Sequence, residues 1–258
     1  MLVTTSLDPS QAAVARGREA ALRTGGRYVP RKGLSLQKLR QAYGDPILLL
    51  VKEQGMELHR EDGREPLFFH PSTALLRIKR LLRGEADTLI DASGTAAGDR
   101  ILDCTAGLAS DAIVFAYAAG EQGRVLAVES EALLHFIVQT GLQQYQSDVP
   151  EVNEAMRRVE LVQADHLELL ASLPDRSVEV VYFDPMFRIP IYDSNALSPI
   201  RGLANAEALR DESIEHAKRV ATKTIVLKEH KDSGEFERLG FRPILRNPSK
   251  FNYGVIQV

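Results

Sequence analysis

The chain contains no tryptophan and only one cysteine in 258 residues. That single thiol, Cys104, excludes an internal disulfide framework and any zinc site built from several cysteines. No run approaches the ~18 apolar residues that would carry a helix across a bilayer. Met1–Ser10 lacks the basic stretch and apolar segment of a secretory leader. Internal repeats and low-complexity tracts are absent too, and His135, His166, His216 and His230 do not fall at metal-ligand spacing, so no metal is expected. What remains is the composition of a cytoplasmic globular protein, 44% hydrophobic and long enough to bury a substantial core.

A net charge of −3 argues against a protein that coats nucleic acid indiscriminately. The sum hides a division. Residues 1–84 hold 15 Lys/Arg against 8 Asp/Glu, whereas residues 85–258 hold 17 against 27. A basic N-terminal part on an acidic body can guide a phosphate backbone toward a site, and it can equally be a solvated surface.

Residues 1–70 read as a small α+β appendage with a candidate role in substrate binding. A helical stretch, Ser10–Arg23, ends at Gly25-Gly26, and Ile47–Val51 is an apolar run. Glu57–Arg60 and Pro66–Phe69 flank Asp62-Gly63, a hairpin signal. Pro71-Ser72 opens a helix with Ser72 as its expected cap; Leu75, Leu76, Ile78, Leu81 and Leu82 form its apolar stripe, and Arg77, Lys79, Arg80 and Arg83 its other face. From Asp99 the rhythm becomes strand and helix in alternation. Apolar runs at Arg100–Leu102, Val125–Val128, Val159–Val162, Val178–Phe183 and Thr224–Leu227 are separated by helical patterns at Asp111–Ala119, Ala132–Tyr145, His166–Ser172 and Ala204–Val220. Five such strands imply a parallel sheet covered on both faces. Phe241–Leu245 and Tyr253–Val258, flanking Asn247-Pro248-Ser249, read as a terminal antiparallel hairpin. Residues 71–258 therefore outline an α/β domain with a mostly parallel seven-stranded sheet.

The first strand-to-helix turn runs Asp103-Cys104-Thr105-Ala106-Gly107-Leu108-Ala109-Ser110-Asp111. Ligands of parallel sheets sit beyond the carboxyl ends of the strands. Small residues such as Thr105 and Ala106 let the backbone approach a ligand there, and Gly107 tolerates a positive φ. The turn lacks the Gly-x-Gly-x-x-Gly fingerprint, so it builds no pyrophosphate cradle, and a nicotinamide enzyme is disfavoured. Three more acids end strands: Glu129, 26 residues after Asp103 and suited to ribose hydroxyls; Asp165, suited to an adenine amine; and Asp184. One such acid alone reads best as a helix cap. Four at successive strand ends suit a ligand with a sulfonium and an α-amino group. Buried Cys104 is read as packing.

At the fourth strand end stands Asp184-Pro185-Met186-Phe187. Transfer of a methyl group to an exocyclic amine requires chiefly that the amine be oriented and its protons accepted. The Asp184 carboxylate and Pro185 carbonyl are suitable acceptors, and Phe187 offers a stacking face worth ~1–3 kcal/mol. These four residues, Met186 included, are the catalytic candidates.

The turn Asp103–Ala112 resembles the Asp-Ala-Thr-Ala-Gly-Leu-Gly-x-Asp-Ala turn of the bacterial small-subunit ribosomal RNA guanine-N2 methyltransferase family. Asp184–Phe187 is similar to that family's Asp-Pro-Met-Phe/Tyr, Ser194-Asn195-Ala196-Leu197 to a Ser-Ala-Leu segment, and Val226-Leu227-Lys228 to its fifth strand. Phe68-Phe69-His70-Pro71 and Tyr253-Gly254-Val255-Ile256 resemble a Gram-positive branch of related methyltransferases. The resemblance covers roughly residues 99–230. It implies the Rossmann-like class I methyltransferase fold, S-adenosylmethionine as cofactor, RNA as partner, and cofactor contacts at Ser110, Asp111, Glu129, Ser130, Asp165 and Asp184, with Asp103, Thr105, Ala106, Gly107 and His166 alongside. Arg188, Tyr192, Arg201 and Lys228 are the substrate-binding candidates, Lys228 for an RNA phosphate or in a pair with Glu229. Ala109 stands where the family has glycine, acceptable with a negative φ; Arg188 replaces a proline, and Ser198-Pro199-Ile200 replaces paired lysines. His70 is expected to hydrogen-bond backbone at the start of its helix. Methylation of a small-molecule or protein amine, and a non-catalytic cofactor-binding RNA module, are the alternatives.

Overall fold

The computed structural model describes residues 1–62, 64–187, 207–244 and 250–258. The notable sites Arg188, Tyr192, Ser194–Leu197, Ser198–Ile200, Arg201, Gly63 and Asn247–Ser249 lie outside the described residues. Two compact units emerge: Met1–His70 with Phe136–Tyr145, and Pro71–His135 with 146–187 and 207–258 of the described chain. Among the described residues no helix is long and apolar enough to cross a membrane.

The first unit contains β1 (Leu2–Thr5), α1 (Gln11–Thr24), β2 (Arg27–Tyr28), α2 (Leu36–Tyr43), β3 (Ile47–Val51) and β4 (Met56–Arg60). Its sheet runs β2-β1-β3-β4, parallel except for β4. Ser10 caps α1 by accepting from the Ala13 amide, and Gly25 ends it at φ +63°, a conformation that favours glycine. Leu2, Val29, Leu39, Leu48 and Leu50 form the core between the layers. The hairpin partner of β4 is β3; the Pro66–Phe69 segment adds a single bridge, Leu58 to Leu67. The five apolar residues preceding the Lys52–Gly55 turn supply more buried pairing surface than the short segment beyond Asp62.

The second unit begins with α3 (Ser72–Leu82) and α4 (Thr88–Ser93). It continues β5 (Arg100–Asp103), α5 (Ser110–Ala119), β6 (Arg124–Glu129), then α6 (Ala132–Gln144), whose residues from Phe136 group with the first unit. After α7 (Pro150–Arg158) come β7 (Val159–Gln163), α8 (His166–Ser172), β8 (Val178–Phe183), α9 (Asp211–Val220), β9 (Ala221–His230), α10 (Glu235–Arg238), β10 (Arg242–Ile244) and β11 (Phe251–Gln257). The strand order is β10-β11-β9-β8-β5-β6-β7. β9, β8, β5, β6 and β7 are parallel, and β11 lies antiparallel between β9 and β10. This is the Rossmann-like methyltransferase architecture. Central strands are buried on both faces, which is why Ile101-Leu102 and Val180–Phe183 read as continuous apolar runs rather than alternating ones. α5 carries six buried residues, among them Ile113, Val114 and Phe115, the mark of a helix enclosed on nearly every side.

Two local expectations change. Pro71, not Ser72, occupies the cap of α3 and makes no side-chain cap bond. The buried stripe of that helix is Ala74 and Ile78, while Leu76 and Leu82 are exposed. The helix after the fourth strand starts at Asp211; residues 207–210 are neither helix nor strand.

In the first unit, α6 meets the segment before α3 at Gly141. A Cβ there would stand 2.1 Å from Cγ of Phe69 and 2.5 Å from its Cβ, atoms too near the backbone to swing away. Beside it, Tyr145 and His70 hydrogen-bond side chain to side chain at 2.9 Å, so His70 is held by a phenol rather than by backbone. Gly141→Ala should gain ~1 kcal/mol of helix propensity and lose more through overpacking, for a net loss of about 1–3 kcal/mol in urea unfolding.

Candidate cofactor and methyl-transfer site

Asp103 ends β5, with its carboxylate Oδ1 accepting from the Thr105 amide at 3.0 Å. The turn that follows is fastened to both neighbouring strands. The Ala106 amide donates to the Val128 carbonyl of β6 at 2.9 Å, and the Asp184 amide, just past β8, donates to the Thr105 hydroxyl. Gly107 adopts φ +51°, and no atom of the described residues lies within 4 Å of where a Cβ would sit. Ala109 adopts φ +60°, opposite to the expected sign. That conformation costs an L-residue about 1–2 kcal/mol; the fully buried methyl returns about 0.8 kcal/mol. Ser110 and Asp111 form the first turn of α5, whose unsatisfied amides and dipole present positive potential.

Asp111 is the hub. Its Oδ1 accepts from the Arg77 guanidinium; its Oδ2 accepts from the Tyr182 hydroxyl at 2.8 Å and from Lys228 Nζ at 3.2 Å. Lys228 also donates to Asp184 Oδ2 at 2.7 Å and lies 5.2 Å over the Phe251 ring. Arg77 forks onto Asp87 with two bonds of 2.7 Å, and Asp87 caps α4. Tyr253 is the cross-strand partner of Lys228 and is buried. One chain of charges thus links α3, α5, β8 and β9.

Burial would raise the pKa of Asp111, but Lys228 and Arg77 overcome it and hold the carboxyl well below its ordinary value. Asp184 ends up on the other side. Burial and the neighbouring Asp111 charge raise it to about 6 against the pull of Lys228. Asp103, 1% exposed, is pushed up to about 8 by burial and by the nearby Asp111 and Asp184. Lys228 and Arg77 are held protonated by these acids despite their burial.

The remaining candidates divide. Glu129 is buried beneath the turn, its carboxylate accepting from the Gly107 amide at 3.2 Å and the Glu131 amide at 2.9 Å, and burial raises its pKa. Ser130 is exposed next to it. Asp165 serves as the N-cap of α8 through Oδ1. The His166 ring is engaged by Ser213 at 3.1 Å and by Phe183 edge-to-face, tying α8 to α9, and burial lowers its pKa. Asp184, Pro185, Met186 and Phe187 are half-buried, and the Phe187 ring centroid lies 6.3 Å from that of Phe251 at a 33° tilt. Lys228 meets Asp184 and Asp111, contacts that its sequence reading as a phosphate contact or a Glu229 partner did not include. Arg77 was misread as a surface residue, although it sits three residues after Ala74 and one before Ile78, inside the stripe that α3 buries. Tyr182, Phe251 and Tyr253 carried no chemical motif; the strand pairing of β11 with β9 is what brings the last two to the site.

The residues fit a cationic, adenosine-bearing ligand. Four acidic side chains (Asp103, Asp111, Glu129, Asp184) gather around the glycine turn and, among the described residues, Arg77 and Lys228 are the cations that meet them.

A protein-family model described as "Putative SAM-dependent methyltransferase" matches residues 34–238. The uncharacterized protein YpiP of Bacillus subtilis (strain 168) is 39% identical over 256 residues, 99% of each chain. Ribosomal RNA small subunit methyltransferase J of Edwardsiella ictaluri (strain 93-146) is 32% identical over 212 residues, 75% of this chain and 82% of that one. Among solved structures, a SAM-dependent methyltransferase from Neisseria gonorrhoeae superposes with a TM-score of 0.65 at 17% identity, over 100% of this chain and 96% of its own. That last likeness shows a shared fold.

Replacing Asp111 by Asn strands buried cations and should cost about 3 kcal/mol. Because the folded carboxyl titrates below its unfolded value, its contribution is complete above pH ~4 and is lost as pH falls further. The variant's stability, followed by urea unfolding across pH, should therefore fall less steeply in acid than that of the parent.

Proposed function

The chain belongs to the SAM-dependent methyltransferase family whose model it matches, and from that premise we propose that it methylates an exocyclic amine of a nucleobase, with guanine N2 of small-subunit ribosomal RNA as first choice. S-adenosylmethionine is the cofactor, and it supplies an electrophilic methyl group. We assign the catalytic work to residues 71–258 and substrate capture to residues 1–70. The observation that carries the reading is Asp184-Pro185-Met186-Phe187 at the end of β8, with the Asp184 backbone tied to Thr105 and one carboxylate oxygen tied to Lys228. Likeness to a ribosomal RNA small subunit methyltransferase supports RNA as the substrate class.

In this reading Asp103, Thr105, Ala106, Gly107, Ser110, Asp111, Glu129, Ser130, Asp165 and His166 surround the cofactor. The anilinic lone pair of a base amine is delocalised into the ring, so reaction requires that the amine be held and its N–H bonds polarised. Asp184 Oδ2 is taken by Lys228, which leaves Oδ1 to accept one amine proton, while the Pro185 carbonyl accepts the other. Transfer would form the nitrogen–carbon bond as the donor's carbon–sulfur bond breaks and leaves its electron pair on sulfur; the nitrogen, then cationic, would give its proton to Asp184 while the N–H electrons return to nitrogen. A carboxyl group raised to about 6 is a better proton acceptor than an ordinary aspartate. Phe187 provides the stacking face. Lys228 is a positioning residue that keeps Asp184 ionised and oriented.

RNA from cells lacking the protein, incubated with labelled cofactor and digested to nucleosides for mass spectrometry, should yield N2-methylguanosine. Asp184→Asn should lower the rate about 100-fold or more. If cofactor binds and no nucleoside is labelled, the RNA reading fails and small-molecule or protein amines become the substrates to test.

The pH profile provides a separate check. Asp184 must be ionised, so the rate should fall as pH drops through about 6. Removing the Lys228 charge removes what lowers that pKa. In Lys228→Gln the acid limb should therefore move upward by about one to three pH units, whereas a lysine used only for phosphate contact would change KM and leave the limb in place.

A further inference from the structure

The cations of the N-terminal part are concentrated in one short stretch. Residues 16–40 hold eight Lys/Arg, six of them arginine, against a single Asp/Glu. In the first unit this stretch runs from the middle of α1 through β2 and into α2, and β2 is an edge strand of its sheet. The two residues of β2 face opposite sides. Tyr28 lies against α1 beside Gly17, with the Arg18 guanidinium 5.8 Å from its ring centroid. Arg27 lies on the other side, 4.9 Å from the ring centroid of Tyr43, which is 43% exposed. Arg18, Arg27, Lys32 and Lys38 are exposed, and among the described residues none of them forms an ion pair. Glu19, the one acid, faces Arg23 at 3.9 Å.

Like charges gathered at this density repel one another, and here a single acid, Glu19, is interspersed to offset them. Two of the guanidiniums, Arg18 and Arg27, lie over tyrosine rings, and a guanidinium offers several N–H donors to phosphate oxygens. β2 is only two residues long, so the edge offers little backbone for strand addition by a protein partner. We propose that this rim of the first unit, Arg18, Arg27, Lys32 and Lys38 with Tyr28 and Tyr43, holds the phosphate backbone of an RNA strand. The inference rests on the RNA reading of the function and adds the surface that captures the substrate.

The test is fluorescence anisotropy of the full chain with a labelled, mixed-sequence single-stranded RNA of about 30 nucleotides, over a series of salt concentrations and without cofactor. One variant carries Arg18→Gln, Arg27→Gln, Lys32→Gln and Lys38→Gln. A control carries Gln at four exposed cations of the second unit, Arg124, Arg176, Lys218 and Lys231. The rim variant should bind at least about tenfold more weakly and lose about three units of salt slope, since each single-strand phosphate contact contributes about 0.7. The control should stay within about twofold of the parent. Three results overturn the proposal: equal loss in rim variant and control, no RNA binding by the parent, or rim-dependent binding to anionic phospholipid vesicles that RNA does not displace. The reaction proposed above is judged apart from this. Rim-dependent RNA binding without any methylated nucleoside removes that reaction and leaves the rim standing.

Discussion

One carboxylate, Asp111, organises the second unit's site. It accepts from Arg77 of α3, Tyr182 of β8 and Lys228 of β9, and so fixes three elements around the first turn of α5. Taking such charges out of water is expensive, and a buried network of this kind adds little net stability compared with well-packed apolar side chains. What it adds is geometry. Lys228 can hold Asp184 at 2.7 Å because Asp111 holds Lys228, and Asp111 stays ionised because Arg77 and Lys228 are both there.

The same proximity separates the acids by strength. Asp111 has two cations and a phenol and stays ionised to low pH; Asp184 shares one lysine and is raised to about 6; Asp103 has one backbone amide and is raised to about 8. Three aspartates with the same intrinsic acidity thus take different roles through the number of donors each meets. A site lined with acidic side chains suits a positively charged methyl donor better than a pyrophosphate, which agrees with a turn containing one glycine where dinucleotide sites have three.

The two units carry opposite chemistry. The first gathers arginines between the middle of α1 and α2, while the second gathers acids at strand ends. Such a division suits an enzyme whose cofactor is a cation and whose substrate, in the reading advanced above, is a polyanion: each ligand meets the sign it needs.

Much of this was legible in the chain. Period and apolar runs located the parallel strands, because a strand buried on both faces has to be apolar throughout, and the acids at their ends were visible as Asp103, Glu129, Asp165 and Asp184. The helices α4 and α7 were not read from the sequence. The sign of φ at Ala109 was also beyond reach, since a turn bonded to β6 sets it against the residue's own preference. Side-chain partners were the least legible. In the sequence Lys228 points to an RNA phosphate or to Glu229, and Arg77 belongs to a basic helix face; strand register and helix packing bring Lys228 to Asp184 and turn Arg77 inward. Residue type and spacing determine which elements form and what chemistry they carry. Which charges meet depends on contacts between residues tens of positions apart, and only the tertiary structure decides those.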